Sequence, residues 1–257
     1  TCRTFTSPEV REVRSVPIAS DVGRQVGWFP ALAATIEGPL GAERADALST
    51  LVNPLSVVRQ NVHKRYLLEL ERAGVPVVPT LLFERGDAVS LGAVLQDRGW
   101  PEAVIKPAIG ARSWRSLRAG VKTLAEGQAH LDALVAERDV LIQPYLRAVE
   151  DHGERSLIWI DGVLTHSIRK EPRFSDDVEN VSRDAVAPPQ GAAQIVDAAI
   201  GAIDGDLLYA RVDVVPDDAG RLVVMELELV EPSLFFAQDA SALARFARAL
   251  VRRASSR

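Results

Sequence analysis

Cysteine and methionine are nearly missing from this sequence of 257 residues: Cys2 and Met225 are the single examples of each. One cysteine excludes an intramolecular disulfide and any zinc or redox site of the C-x-x-C kind. A basic surplus is missing too. Thirty Lys and Arg stand against 35 Asp and Glu, a formal charge of −5. A binder of phosphate backbones carries an excess of cations, so nucleic acid is not expected as a partner. No apolar run approaches the roughly 18 residues that cross a bilayer, and the opening residues lack the layered pattern of a signal peptide. The expectation is a cytoplasmic protein with no membrane partner, and a homo-oligomer is compatible with it. Because the chain opens on Thr1 and its only methionine is Met225, residues upstream of Thr1 are expected.

Hydrolytic signatures are absent as well. There is no G-x-S-x-G elbow and no Walker-type phosphate loop, and His63, His130, His152 and His166 show no metal spacing. What is present is an ordinary globular composition, 47% hydrophobic and 25% charged, on a chain long enough for a core without covalent staples.

Residues 1–49 show no sustained period and read as a lead-in or the remnant of a further domain. From there the pattern sharpens. Val58, Val62, Leu67 and Leu70 suit one side of a helix from Ser56 to Ala73, stopped by Gly74. VPVVPT (75–80) reads as a short strand, Ser90 caps a helix, 103–107 is a strand, 123–138 a helix and 140–146 a strand. Asp161-Gly162 marks a tight hairpin within 155–170. A helix over 191–203 precedes a second hairpin, 207–215 and 221–229, across PDDAG. A final helix carries Leu243, Phe246, Ala247, Leu250 and Val251 as a stripe, with Arg252 and Arg253 at its end. Antiparallel pairs interleaved with helices define an α+β fold.

The second hairpin carries the sharpest chemistry. Alternation puts Arg211 and Asp213 on one face of their strand, and Glu226 and Glu228 on one face of the next. Brought together, three carboxylates and an arginine would crowd one side of an apolar pair, where unpaired acids are costly to bury. A hard divalent cation such as Mg²⁺ relieves that repulsion with oxygen ligands; a solvated sheet face is the bland alternative. Lys106 ends an apolar strand before Pro107 and suits a phosphate contact, with Gly110, Arg112 and Arg115 in the loop behind it. Asn61 and Lys64, at i and i+3, share a helix face. Gln143-Pro144-Tyr145-Leu146 ends a strand where Pro144 withholds a donor and peptide groups become free for a planar base.

Taken in order, an N-x-x-K helix, VPVVPT, VIKP, IQPYL, THSIRKEP, YARVDVV and MELELVEPSL resemble the ATP-grasp superfamily, in the branch of RimK-like and glutathione-synthetase-like ligases and of the O-ureido-D-serine cyclo-ligases. The resemblance covers residues 50–236. It implies an ATP-grasp domain over 50–257, with a small lobe at 75–146 and a large lobe at 147–257 clasping a nucleotide. Lys64 and Lys106 would bind the α- and β-phosphates under the loop 108–116. Gln143, Tyr145 and Leu146 would line the adenine slot, and Glu150 would take the ribose. Asp213, Glu226 and Glu228 would hold Mg²⁺, with Glu228 where many relatives have Asn. Arg211, with Arg169 as helper, would face the γ-phosphate. The implied reaction is ATP-dependent: a carboxylate of a small amino-acid-like substrate is phosphorylated to an acyl phosphate, then captured by a nitrogen. The R-S-T-W-D-Y-type segment of such relatives is not found in residues 1–49. A non-catalytic ATP-binding module derived from such a ligase, and a plain α+β structural protein, are the competing readings.

Overall fold

The computed structural model describes residues 51–110, 113–171 and 180–255. The expectations for residues 1–49 and for Arg112 lie outside them. Two four-stranded sheets, both wholly antiparallel, organise these residues.

The small sheet has the order β1-β4-β2-β3, from β1 (Leu81–Phe83), β2 (Glu102–Pro107), β3 (Leu117–Gly120) and β4 (Val140–Pro144). Helices α3 (Leu91–Arg98) and α4 (Leu124–Val135) cover one face. Ser90 caps α3 by accepting from the Ala93 amide, and Gly99 ends it in the left-handed region at φ 64°. Strand β2 alternates strictly. Ala103 and Ile105 enter the apolar core with Leu91, Leu131 and Ile142, while Val104 and Lys106 turn to the other side. Gly127 lets α4 approach closely, since a Cβ there would lie 2.5 Å from Ala119 Cβ and 2.7 Å from Leu91 Cδ2.

The large sheet, in the order β6-β5-β7-β8, comprises β5 (Glu154–Ile160), β6 (Val163–Lys170), β7 (Tyr209–Pro216) and β8 (Leu222–Glu228). Asp161 (φ 47°) and Gly162 (φ 85°) form the expected β5–β6 turn. One face packs against α1 (Leu55–Val62), α2 (Tyr66–Arg72) and α6 (Ala192–Gly201), through Val57, Leu67, Leu70, Ile195, Val196, Leu157, Val212 and Leu227. The other face carries Ile158, Ile160, Ile168 and Phe235 under the C-terminal helix α7 (Ala240–Ser255). Between the sheets, Val78, Leu146, Val215 and Val223 bury a smaller apolar cluster beside Met225.

Several expected elements differ. The helix over 56–73 is two helices, because His63 is extended (φ −102°, ψ 123°) and the chain turns so that the Lys64 amide donates to Ala108 O at 2.8 Å. Val62, at the end of α1, is therefore exposed. VPVVPT forms no ladder strand. Pro76 and Pro79 withhold donors, and the segment makes one parallel bridge, Val77 with Val224, before β1 begins at Leu81. Strand β3 and the short helix α5 (Ala148–Asp151) were not expected. On α7, Ala242 and Ala249 are buried, whereas Leu243, Leu250 and Val251 are exposed. Ala242 and Phe246 pack on the sheet, and Arg245 and Arg252 pair with Asp161 in that rotation of the helix. Among the described residues no helix is long and apolar enough to cross a membrane.

Candidate active site between the two sheets

Register decides which side chains meet. In both large-sheet hairpins the ladder shifts by one residue. Near the turn Val214 pairs with Val224, but after the shift Asp213 faces Glu226 and Arg211 faces Glu228. Without that bulge Met225 and Leu227 would stand opposite them, because a one-residue slip turns a strand over. In β5–β6 the shift after Trp159 sets Glu154 opposite Lys170 rather than opposite Arg169.

The result is one charged cluster. Asp213 is completely buried: Ser156 Oγ donates to its Oδ1 at 2.6 Å, Lys170 Nζ to its Oδ2 at 2.8 Å, and Arg211 Nη2 to its Oδ2 at 2.9 Å. Burial alone would raise the Asp213 pKa, but Arg211 and Lys170 hold it well below the usual range. Arg211 also grips Glu228, and Lys170 grips Glu154. Lys64 Nζ lies 3.1 Å from Glu226 Oε1 and donates to Gly110 O at 2.5 Å. Against the pull of burial, Lys64 and Lys106 keep the Glu226 carboxyl below its ordinary value.

Two carboxyls go the other way. Burial pushes Glu228 up to about 8, with Glu226 and Asp213 adding to it and Arg211 opposing. Burial likewise lifts Glu154 to about 7, against Lys170. Opposite, burial lowers Lys106 to about 8, helped by Lys64 and opposed by Glu226. Burial, rather than the lack of a cation, disfavours the charged form of Glu228, which Arg211 already contacts. One ligand atom each from Asp213, Glu226 and Glu228 lies within 4.8 Å of the others. Three oxygen donors at that spacing, one of them hard to ionise unaided, fit a hard divalent cation.

At the small sheet, the residues expected at a base-binding slot are engaged with protein partners. Gln143 is buried and donates to Thr80 Oγ1 at 2.8 Å; the Tyr145 amide donates to Glu102 O at 3.0 Å. Leu146 contributes its side chain to the apolar cluster beside Met225. Glu150 accepts from Tyr145 Oη and from Arg118 Nη1, both at 2.9 Å. The Arg118 guanidinium lies 3.6 Å over the Tyr145 ring and pairs with both Glu102 oxygens. These two bonds hold the Glu150 carboxyl below its ordinary value.

Arg169 stands apart from the carboxylates. Its guanidinium donates to His152 O at 3.1 Å, Asp151 O at 3.2 Å and Glu171 Oε1 at 3.1 Å. Lys170, next to it in sequence, lies at Asp213 and escaped sequence reasoning, which named Arg169 as the helper of Arg211. Arg118, Tyr66 and Ser156 also escaped it; Arg118 sits on the unexpected strand β3, and the other two are marked by no motif.

No family model matches the chain. It is 35% identical over 230 residues to the cycloserine biosynthesis protein DcsG of Streptomyces lavendulae, spanning 82% of this chain and 76% of that protein. The crystal structure of D-cycloserine synthetase DcsG superposes with a TM-score of 0.77 at 32% identity, covering 86% of this chain and 80% of that one. D-alanine–D-alanine ligase from Bacillus anthracis superposes with a TM-score of 0.60 at 17% identity, over 82% of this chain and 72% of that one, a likeness of fold.

Proposed function

The chain belongs to the ATP-grasp superfamily of ligases, and from that premise we propose that it is an ATP- and Mg²⁺-dependent enzyme that joins a carboxylate to a nitrogen, within one molecule or between two, on a small amino-acid-like substrate. The observation that carries this reading is the convergence of Asp213, Glu226 and Glu228 within 4.8 Å, with Lys64 at 3.1 Å from Glu226.

Asp213, Glu226 and Glu228 would hold the magnesium ion, which when bound neutralises phosphate charge and polarises the transferring group. Lys64, in contact with Glu226, and Lys106, whose charge is felt by the same carboxylate from strand β2, suit the α- and β-phosphates of the nucleotide. Arg211 and Lys170 suit the γ-phosphate. They keep Asp213 ionised while presenting cations to the equatorial oxygens. The apolar wall of Leu146 and Met225 suits the adenine, and Glu150, held by Arg118 and Tyr145, suits the ribose. A substrate carboxylate attacks the γ-phosphorus, giving an acyl phosphate and ADP. A nitrogen then attacks the acyl carbon and phosphate leaves. No side-chain nucleophile is needed, because positioning and charge supply the acceleration.

The similarity to a D-cycloserine synthetase makes O-ureido-D-serine the first substrate to try. With an analogue of that acid that lacks the ureido nitrogen, ATP labelled with ¹⁸O in the β,γ-bridge should scramble its label as acyl phosphate forms and reverts. With a complete substrate, ADP and phosphate should appear one for one with product. Mg-ATP binding without exchange or ADP release for any amino-acid-like acid would identify a non-catalytic nucleotide-binding module instead. Glu226→Gln should raise the magnesium requirement and cut turnover by roughly two orders of magnitude or more; unchanged turnover at ordinary Mg²⁺ would reject that carboxylate as a ligand.

A further inference from the structure

We propose that Asn61 is a positioning residue: its buried side-chain amide bonds the backbone on both sides of Glu228 and thereby sets how that carboxylate reaches magnesium. The inference rests on the reading of Asp213, Glu226 and Glu228 as the metal site.

Strand β8 is the edge of the large sheet, so the outward amides and carbonyls of its last residues have no strand to pair with. Side chains replace one. Asn61 Nδ2 donates to Leu227 O at 2.8 Å, and the Leu229 amide donates to Asn61 Oδ1 at 2.8 Å. The Leu227 amide donates to Tyr66 Oη at 3.1 Å, and Asn53 Nδ2 donates to Leu229 O at 2.7 Å. Asn61 is only 9% exposed. Its orientation follows from its partners, one a carbonyl and the other an amide. A carboxamide alone offers a donor and an acceptor in one plane at the spacing of a peptide group, so it imitates the missing strand; an apolar residue would leave both backbone groups buried and unpaired.

Glu228 is the residue enclosed by these two bonds. Three positions after Asn61, the Lys64 amide is tied to Ala108 O at 2.8 Å and its ammonium reaches Glu226. One short segment therefore holds both the edge strand that carries two of the carboxylates and the lysine that faces them. The i, i+3 pair at 61 and 64 is not a solvated face; it spans from backbone to site.

The test uses the full chain and four variants. Asn61→Leu keeps the branched shape and removes both bonds, and Tyr66→Phe removes only the acceptor for the Leu227 amide. Leu67→Ala, in the same core but away from β8, serves as a stability control. Magnesium affinity is read by calorimetry with a non-hydrolysable ATP analogue bound, beside nucleotide affinity without metal and the melting temperature. Outer partners of metal ligands typically matter by one to two orders of magnitude. Asn61→Leu should thus bind Mg²⁺ about 10-fold more weakly, with metal-free nucleotide affinity within about twofold. Tyr66→Phe should shift in the same direction by less, and it alone decides the matter if Asn61→Leu does not fold. Leu67→Ala should lower the melting temperature with magnesium affinity unchanged. A lowered melting temperature with wild-type magnesium affinity in Asn61→Leu, or in Tyr66→Phe where that variant decides, would overturn the proposal. The fourth variant, Glu228→Gln, separates the two readings: if it too leaves magnesium binding untouched, the assignment of Glu228 to the metal fails, and Asn61 loses its role with it.

Discussion

The two sheets share strand number and antiparallel pairing, yet their inner faces are held by different forces. The small sheet buries Leu91, Ala103, Ile105, Leu131 and Ile142 on one side, and Lys106 projects from the other without entering that core. The large sheet buries Asp213, Arg211, Lys170 and Ser156 beside Ile158 and Ile168, a face that tolerates its charges because each is neutralised by a neighbour. In the small sheet the cation proposed to meet phosphate is separable from the packing. In the large sheet the groups that would do chemistry are also the groups that keep each other folded.

That contrast can be broken most severely at Asp213. Asp213→Asn leaves Arg211 and Lys170 buried with their shared acceptor neutralised, and should destabilise the chain by about 3 kcal/mol or more while abolishing turnover. Denaturant unfolding beside an ADP-release assay would check both together; a fully stable, inactive variant would show that the cations find other partners. The opposite pattern is expected at Lys106. Burial already disfavours its charged form, so Lys106→Ala should cost little stability yet weaken ATP binding about 10- to 100-fold, the worth of a charged hydrogen bond. Unchanged affinity would remove Lys106 from the phosphate site.

Gly127→Ala sharpens the comparison from the apolar side. The added methyl meets Ala119 and Leu91, so about 1–3 kcal/mol of overpacking is expected, with magnesium affinity untouched. The smallest effect is one of pH. Glu154 and Glu228 titrate near 7 and 8 in the metal-free fold, above the ordinary carboxylate range. The folded chain thus binds more protons than the unfolded one, and stability falls as pH rises through that window. Asp213 is shifted the other way and contributes only at acidic pH. The melting temperature of metal-free protein should therefore decline between about pH 5 and pH 8, above which Lys106, lowered by burial, opposes the trend, and Mg-ATP should flatten the decline. A flat metal-free profile would mean that both acids are ionised throughout.

Much of this arrangement was legible beforehand, and for local reasons. Asp161-Gly162 announces its turn because few residues other than glycine, asparagine and aspartate tolerate two successive positive φ values. Arg211 with Asp213, and Glu226 with Glu228, share faces because a strand repeats every two residues. Strand β3 was invisible, since LRAG has one branched apolar residue and four positions in all. The resemblance singled out Arg169 and no motif marks Lys170, although the two differ in parity on their strand. Counting back from the turn at Asp161-Gly162 sets Arg169, not Lys170, opposite Glu154; the bulge beyond Trp159 reverses that. Asn61 looked like part of a polar stripe and is instead buried against a strand 166 to 168 residues further along the chain.

By itself, the order of residues determined the α+β class, both hairpins, the capped helices and the kinds of side chain available for a nucleotide and a metal, because each depends on neighbours a few positions apart. Tertiary structure alone decided which of those side chains meet. A single bulged residue inverts a whole strand, and whether one forms depends on the strand alongside and on the helix that covers it. Glu226, Glu228 and Lys170 reach Asp213 through that non-local choice, and the backbone flanking Glu228 is held there by an amide from the first helix of the fold.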